Sequence, residues 1–549
     1  MDRPILKERS HHPEQAGASQ SEPPAPRRGR LLQGCAAFAV IGCAALVYIQ
    51  GTGLTRPHKY HTDLTQSPHW IAYHVSGFAE DDLLVEYGRF NETPIQNAIY
   101  WLGTWLVDVV LLNKLVGIAI FGVTAALFFG LTAPSSGALT AVLAAALFVV
   151  FPRSTYEIAG GFSKAWAIGL VLLAVHAVES RSWRLLVWVL PLAALAYPIA
   201  AVLIGAIVLV GVLLELPRDR REGITGFKRL IDGSALALML LLLKYLNPPA
   251  RIGEMVSTET LKALWSTNYT APFLLPLWQE LSSYLERPFI YGAAILLVVL
   301  IRRGPAWKRS WSALVIASSV CYYVAAFVAP RLYVPDRYTR FSMAVLLVLF
   351  FSHNGARALE LVRVGWMRWT AALAVIALAA LCFEQTFRPC TGKKSHGVWE
   401  NKEIYTGLSA AVAALPQPVL VAGHPIHSAE VLVQARRPVL VINRMFHDWY
   451  DRYRFEMVQR IRQTFTALYG KQTSQVNGLA EHYGVTHLIV DKRYYAAAAI
   501  GRGWIYKREF RAYVAGLTRR LGAFVVSPPP KESIVYEDRY FYLIRLPLQ

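Results

Sequence analysis

Acidic residues are scarce in this chain: 36 Asp and Glu stand against 56 Lys and Arg, a formal net charge of +20, and only 17% of residues are charged. Cysteine is scarcer, at five. Cys35, Cys43, Cys321 and Cys382 lie in apolar runs and only Cys390 lies outside one, a pattern of small core residues that excludes a disulfide framework or a zinc site. Neither G-x-G-x-x-G nor a P-loop occurs, so the usual phosphate-cradling loops are excluded too. Ionisable groups are almost missing from the apolar runs, where Asp232 and Lys244 sit near the ends. A transporter or flippase of lipid-linked glycans would want such groups at mid-membrane, so that reading is disfavoured.

What is present is apolar surface. The chain is 54% hydrophobic with a mean hydropathy of +0.34, above the ~45–50% apolar content of an ordinary soluble protein. Lipid must cover the excess. The basic excess sits in short clusters between apolar runs, which is the positive-inside signature of membrane topology and removes nucleic acid as a partner.

Residues 1–30 are polar and basic and read as a disordered cytoplasmic tail. The run 31–50 reads as an uncleaved anchor, being longer than the ~7–15 residues of a signal-peptide core. Further apolar runs lie at 115–131, 138–151, 165–178, 185–216, 230–246, 289–301, 312–328, 341–351 and 370–383. The run from 185 is too long for one helix, and Tyr197-Pro198 near its middle frees backbone groups, so a turn there makes two. About 11 spans result. With the N-terminus inside, the clusters around Arg181, Arg220, Arg302 and Arg357 all fall inside, and the chain beyond about residue 386 falls outside. The expected fold is therefore an α-helical integral membrane protein over 31–387, with an outer loop at 51–114, followed by a soluble α/β domain over 388–549. The expected location is a bacterial inner membrane, with the C-terminal domain extracytoplasmic.

Chemistry is expected in the outer segments, because the inside loops are short and basic. The first outer loop carries Asp63, Glu80, Asp81, Asp82 and Glu86 just beyond the first span, and Asp81-Asp82 could supply oxygen ligands to a divalent metal such as Mg or Mn. Asn97, Trp101, Thr104 and Asp108 would share one face of a following helix lying at the membrane surface. Gly160-Gly161 precedes Lys164, and Pro335 precedes Arg337-Tyr338, each at the start of an apolar helix. Carboxylates and cations thus reach one membrane face, which suits a site where a carboxylate activates an acceptor and cations hold a lipid phosphate. Taken singly, either cation reads as an interfacial snorkelling residue.

At these residues the chain resembles the C-type glycosyltransferase superfamily of polytopic membrane enzymes, in particular a bacterial group within it. The resemblance rests on Asp63 with His69 and Trp70, on Asp81-Asp82-Leu83 with Tyr87, on Gly160-Gly161 with Lys164, and on Pro335 with Arg337-Tyr338. It implies a first-loop acidic residue, Asp63, Asp81 or Asp82, as catalytic base or metal ligand. It also implies a polyprenyl-phosphate sugar donor, a glycan, lipid or protein acceptor, and a donor-binding set of His69, Lys164, Arg337 and Tyr338.

In the C-terminal part, 418–422, 438–442 and 486–491 read as strands, 451–469 and 474–483 as amphipathic helices, and 535–546 as an edge hairpin. His424 and His427 lack a third ligand nearby and read as packing residues rather than a metal site. A non-catalytic membrane assembly protein is the remaining alternative.

Overall fold

The computed structural model describes residues 28–50, 53–79, 81–261, 307–325, 335–362, 364–387, 399–495, 508–519 and 523–548. The basic tail up to residue 27, Glu80, the span expected at 289–301, the cluster at Arg302 and Cys390 lie outside the described residues.

Helix α1 (Arg28–Gln50) packs along α5 (Val109–Val150). Small residues make the approach close: a Cβ on Gly122 of α5 would sit 2.8 Å from the Ala39 carbonyl of α1. As one straight rod, α5 would run ~63 Å at ~1.5 Å per residue, about twice a hydrocarbon core. It does not run straight. Gly137 leaves helical geometry at φ 83°, a conformation glycine adopts without penalty, and the kink falls between the two expected runs 115–131 and 138–151.

The next helices are α6 (Pro152–Ile158), α7 (Ala167–Glu179), α8 (Leu186–Ala196), α9 (Pro198–Glu215) and α10 (Arg220–Tyr245). The expected break at Tyr197-Pro198 is present: Tyr197 is extended and Pro198 opens α9, where its missing N–H costs nothing. Then follow α11 (Arg309–Tyr323), α12 (Asp336–Leu359) and α13 (Gly365–Phe387). Among the described residues, four helices are long and apolar enough to cross a membrane unaided, namely Gly29–Tyr48, Val109–Val150, Pro198–Glu215 and Asp336–Leu359.

The segment expected as the first outer loop folds into strand β1 (Lys59–Tyr60), a tight turn at Thr62–Gln66, and three short helices, α2 (Pro68–Ala72), α3 (Leu83–Asn91) and α4 (Pro94–Gly103). α4 leaves Trp101, Leu102, Trp105 and Leu106 exposed at its end, an apolar edge of the kind that enters a membrane interface. The helical run does not continue to Asp108, however. That carboxylate accepts the Val110 amide at 2.8 Å and caps α5 instead.

Beyond residue 399 the chain forms α14 (Thr406–Ala413), α15 (Pro425–Ala435), α16 (Asp451–Leu468), α17 (Thr473–Tyr483) and α18 (Arg508–Thr518) around a four-stranded sheet. Strands β3 (Val421–Gly423), β4 (His487–Asp491), β5 (Ile534–Glu537) and β6 (Phe541–Arg545) are ordered β3-β4-β6-β5, with β3 parallel to β4 and the other pairs antiparallel. The stretch expected as a strand at 438–442 makes only a parallel bridge, Val439 to Val421.

This region does not stand apart from the rest. Strand β2 (Glu400–Asn401) pairs with β1, Tyr60 donates to Glu430 at 2.5 Å, and one apolar cluster runs from α1 and α5 through Tyr60 and Trp70 to Ile489 and Phe541.

Candidate active site

The turn at Thr62–Gln66 aims Asp63 inward. His61 caps it, its Nδ1 accepting the Asp63 amide at 3.1 Å, and Gly160 leaves room for that ring. The Asp63 carboxylate is 4% exposed and meets Lys164 Nζ at 2.7 Å, Gln66 Nε2 at 3.0 Å and Arg444 Nη1 at 3.5 Å. Burial opposes its ionisation, but the Lys164 ammonium, with Arg444 beyond it, outweighs burial and holds the carboxyl well below the usual carboxylate range. His61, whose own pKa is lowered by burial, adds to this downward pull on Asp63.

Lys164 is placed by a turn whose carbonyls are all occupied. Ala159 O accepts from Trp399 Nε1 at 3.1 Å and Gly160 O from Asn113 Nδ2 at 2.6 Å, while Gly161 O accepts from Gln96 and, at 3.1 Å, from Tyr100. Gly161 has φ 56°, and a side chain there would run into the Asn113 carbonyl, so the position requires glycine. Lys164 is then carried inward on the turn Ser163–Trp166, 8% exposed. It also reaches Glu157 at 3.5 Å. Glu157 in turn takes Arg340 at 3.3 Å, and Arg340 pairs with Asp336. Charges alternate along this chain from the first loop to the start of α12. Arg337 and Arg340 lie in the first turns of α12, three residues apart, where the helix N-terminus adds its own positive field.

Asp63, Lys164, Arg337, Arg340 and Arg444 border one cavity of about 680 Å³. Among the described residues lining it are four cations, Lys164, Arg337, Arg340 and Arg444, and two carboxylates, Asp63 and Glu92. One wall is apolar: Pro198, Ile199 and Val202 of α9 with Leu241 and Leu242 of α10 and Leu246 just after it, and Val202, Leu242 and Leu246 continue to the surface of the molecule. The opposite wall comes from the segment before α16, with Arg444, His447, Trp449 and Tyr450.

Of the residues singled out from sequence, Asp63, Lys164, Arg337 and Tyr338 meet in this cavity. Asp81, Asp82 and His69 do not line it. Asp82 is the N-cap of α3, its Oδ1 accepting the Leu84 and Val85 amides at 2.9 and 3.1 Å, while Asp81 is exposed beside Arg251. That geometry does not fit the metal pair considered for them, and among the described residues no group of three or more His, Cys, Asp or Glu converges to hold an ion. His69 is buried under α3, its Nε2 2.8 Å from Asn97 Oδ1 and its pKa pushed down to about 3 by burial, so it supports the loop as a neutral ring.

Sequence reasoning passed over Glu92, Glu157, Arg340 and Arg444. Arg340 carried a signal, one turn beyond Arg337. Arg444 carried none, lying 381 positions from its partner Asp63. In the C-terminal region, His424 caps α15 and His427 sits between Tyr405 Oη at 2.9 Å and Asp491 at 3.0 Å, both as packed side chains.

No family model matches the chain, and no curated protein is similar to it in sequence. Among solved structures it is similar to the oligosaccharyltransferase of Archaeoglobus fulgidus tethered with an acceptor peptide, at 13% identity and a TM-score of 0.49 over 85% of this chain and 70% of that one. The archaeal oligosaccharyltransferase AglB from the same organism, in complex with an inhibitory peptide and a dolichol-phosphate, gives 13% identity and 0.49 over 84% and 69%. ArnT from Cupriavidus metallidurans, bound to undecaprenyl phosphate, gives 12% identity and 0.44 over 93% and 98%.

Proposed function

We propose that this chain is an integral membrane glycosyltransferase that moves a sugar from a polyprenyl-phosphate donor to an acceptor at the outer face of a bacterial inner membrane. The observation that carries the reading is the make-up of one cavity: a cationic end at Lys164, Arg337 and Arg340, a fixed carboxylate at Asp63, and an apolar wall from α9 and α10 that continues to the surface of the molecule. A lipid phosphate has this polarity. Its prenyl chain would lie along the apolar wall, and its phosphate would meet the cations.

Glycosyl transfer leaves negative charge on the departing phosphate, and preorganised cations in a dry site stabilise developing charge without reorganisation. Lys164 and the two arginines at the α12 N-terminus would do this. Asp63, held ionised by Lys164, is a weak base at neutral pH. Its role in this reading is to fix the ammonium and to orient the acceptor.

The purified full chain should be stabilised against heat by undecaprenyl phosphate and not by the uncharged alcohol undecaprenol. Arg337→Gln should weaken that stabilisation by about tenfold in ligand concentration or more, since a charge-assisted hydrogen bond contributes roughly 1.5–3 kcal/mol. Equal stabilisation by phosphate and alcohol would remove the cation site from the reading.

Sidedness has its own test. A reporter active only outside the membrane should work when fused after residue 549 and stay silent when inserted near Arg221, because the basic clusters belong inside. The reverse pattern would place the cavity on the cytoplasmic face.

A further inference from the structure

The cavity holds a second carboxylate in a different setting. Glu92 lies between α3 and α4, is 5% exposed, and lines the cavity. Its Oε1 accepts the Thr93 amide at 2.9 Å and the Thr93 hydroxyl at 3.3 Å, and the Ser163 hydroxyl bonds it from the turn that carries Lys164. All of these donors are uncharged. The titratable groups facing it from neighbouring elements are Tyr73 after α2, Tyr100 of α4, and Lys244 and Tyr245 of α10. Burial pushes the Glu92 carboxyl up, with Thr93, Ser163 and Lys244 pulling the other way. Asp63, in the same cavity, is held well below the usual range by Lys164 despite its burial.

Two carboxylates whose surroundings drive their acidities apart divide acid–base work between them. One clamped by cations stays ionised and gives up its basicity, whereas one desolvated among neutral donors approaches the proton affinity that general-base catalysis needs. We propose that Glu92 takes the proton from the acceptor while Asp63 remains a fixed charge, an inference that rests on the transferase reading above. The acceptor oxygen bonds to the anomeric carbon of the donor sugar as the bond from that carbon to the phosphate oxygen breaks. The electron pair leaves on the phosphate among Lys164, Arg337 and Arg340. The acceptor's hydroxyl proton passes to a Glu92 carboxylate oxygen and from there to water.

The test uses purified full-length protein, undecaprenyl-phosphate hexoses and pentoses as donors, and water as the acceptor, reading release of undecaprenyl phosphate against pH. The wild type should lose activity on the acid side, with a midpoint above the ordinary glutamate value of about 4.3. Glu92→Gln should lower release by about 10²-fold or more, abolish that acid limb, and keep the heat stabilisation by undecaprenyl phosphate. Glu92→Asp should retain a slower reaction with a displaced acid limb, which separates a chemical role from a folding defect. A Glu92→Gln rate close to wild type, or an acid limb that stays in place in Glu92→Asp, would overturn the assignment to Glu92 alone. Absence of release by the wild type from every donor would instead remove the transferase reading, and the proposal with it.

Discussion

Lys164→Met should destabilise the protein by about 3–5 kcal/mol, the range seen when one partner of a buried ion pair is removed and the other charge is left behind. Two carboxylates are stranded in this case: Asp63 is 4% exposed and Glu157 1% exposed, and Lys164 touches both. Arg340 still reaches Glu157, and Arg444 still approaches Asp63 from a half-exposed position, so the loss stops short of unfolding. Adding Asp63→Asn to Lys164→Met should restore much of the stability, because the uncompensated charge is gone, with a coupling of roughly 0.5–3 kcal/mol between the two changes. Donor turnover should stay low in the double variant, since the cation facing the phosphate is still missing. Thermal midpoints in detergent and donor hydrolysis, measured on the same four proteins, check both halves. Additive losses in the double variant would mean that the pair does not act as a pair.

The pH dependence of that stability has a definite sign. The folded pKa of Asp63 lies below its unfolded value of about 3.9, so its contribution is present above that value and is lost as pH falls through the lower folded one. In the wild type the contribution of Asp63 to stability should therefore be flat above about pH 5. Glu92 is shifted the other way by burial. Acid sensitivity of turnover, as opposed to stability, is expected to come from Glu92.

Much of the scaffold is legible in the sequence because its signals are local. Apolar runs mark the helices, Pro198 after Tyr197 marks the break between α8 and α9, and the gap between the runs 115–131 and 138–151 falls where α5 kinks. The helices at Asp451–Leu468 and Thr473–Tyr483 and the strand at His487–Asp491 likewise follow from periodicity. Asp82 misleads for an equally local reason. An aspartate just before Leu-Leu-Val is a helix-capping pattern, and the carboxylate spends its oxygen on two backbone amides. Glu92 and Arg444 could not be read at all. Their meaning lies in burial and in partners brought close by the tertiary fold, which one sequence does not encode as spacing.

A connection of the same tertiary kind gives the second large effect. Trp399 is not among the cavity residues, yet Trp399→Ala should cost about 3–5 kcal/mol, as expected for deleting a buried indole. Its ring is 6% exposed and lies 5.1 Å from the Lys114 ammonium, which donates to the carbonyls of Gly53, Leu54 and Arg56 at 2.6, 3.2 and 2.8 Å. Those residues lead into β1 and so to His61 and Asp63. The indole N–H meanwhile bonds Ala159 O at 3.1 Å, where the turn that sets Lys164 begins. Trp399 thus braces both members of the central pair from behind. A displacement of about 1 Å at a reacting centre can cost on the order of 10²-fold in rate, so turnover should fall well beyond what the loss of folded protein explains. Trp399→Phe separates the two roles: it keeps a ring against Lys114 but leaves the Ala159 carbonyl without its donor, a loss of about 1–3 kcal/mol. Trp366 on α13 is 70% exposed, and Trp366→Ala should change stability by no more than about 0.5 kcal/mol. Thermal midpoints and donor hydrolysis across these three variants order them as Trp399→Ala, Trp399→Phe and Trp366→Ala in decreasing effect. If Trp399→Ala behaved like Trp366→Ala in both measurements, the bracing of the Asp63–Lys164 pair by the C-terminal region would be wrong.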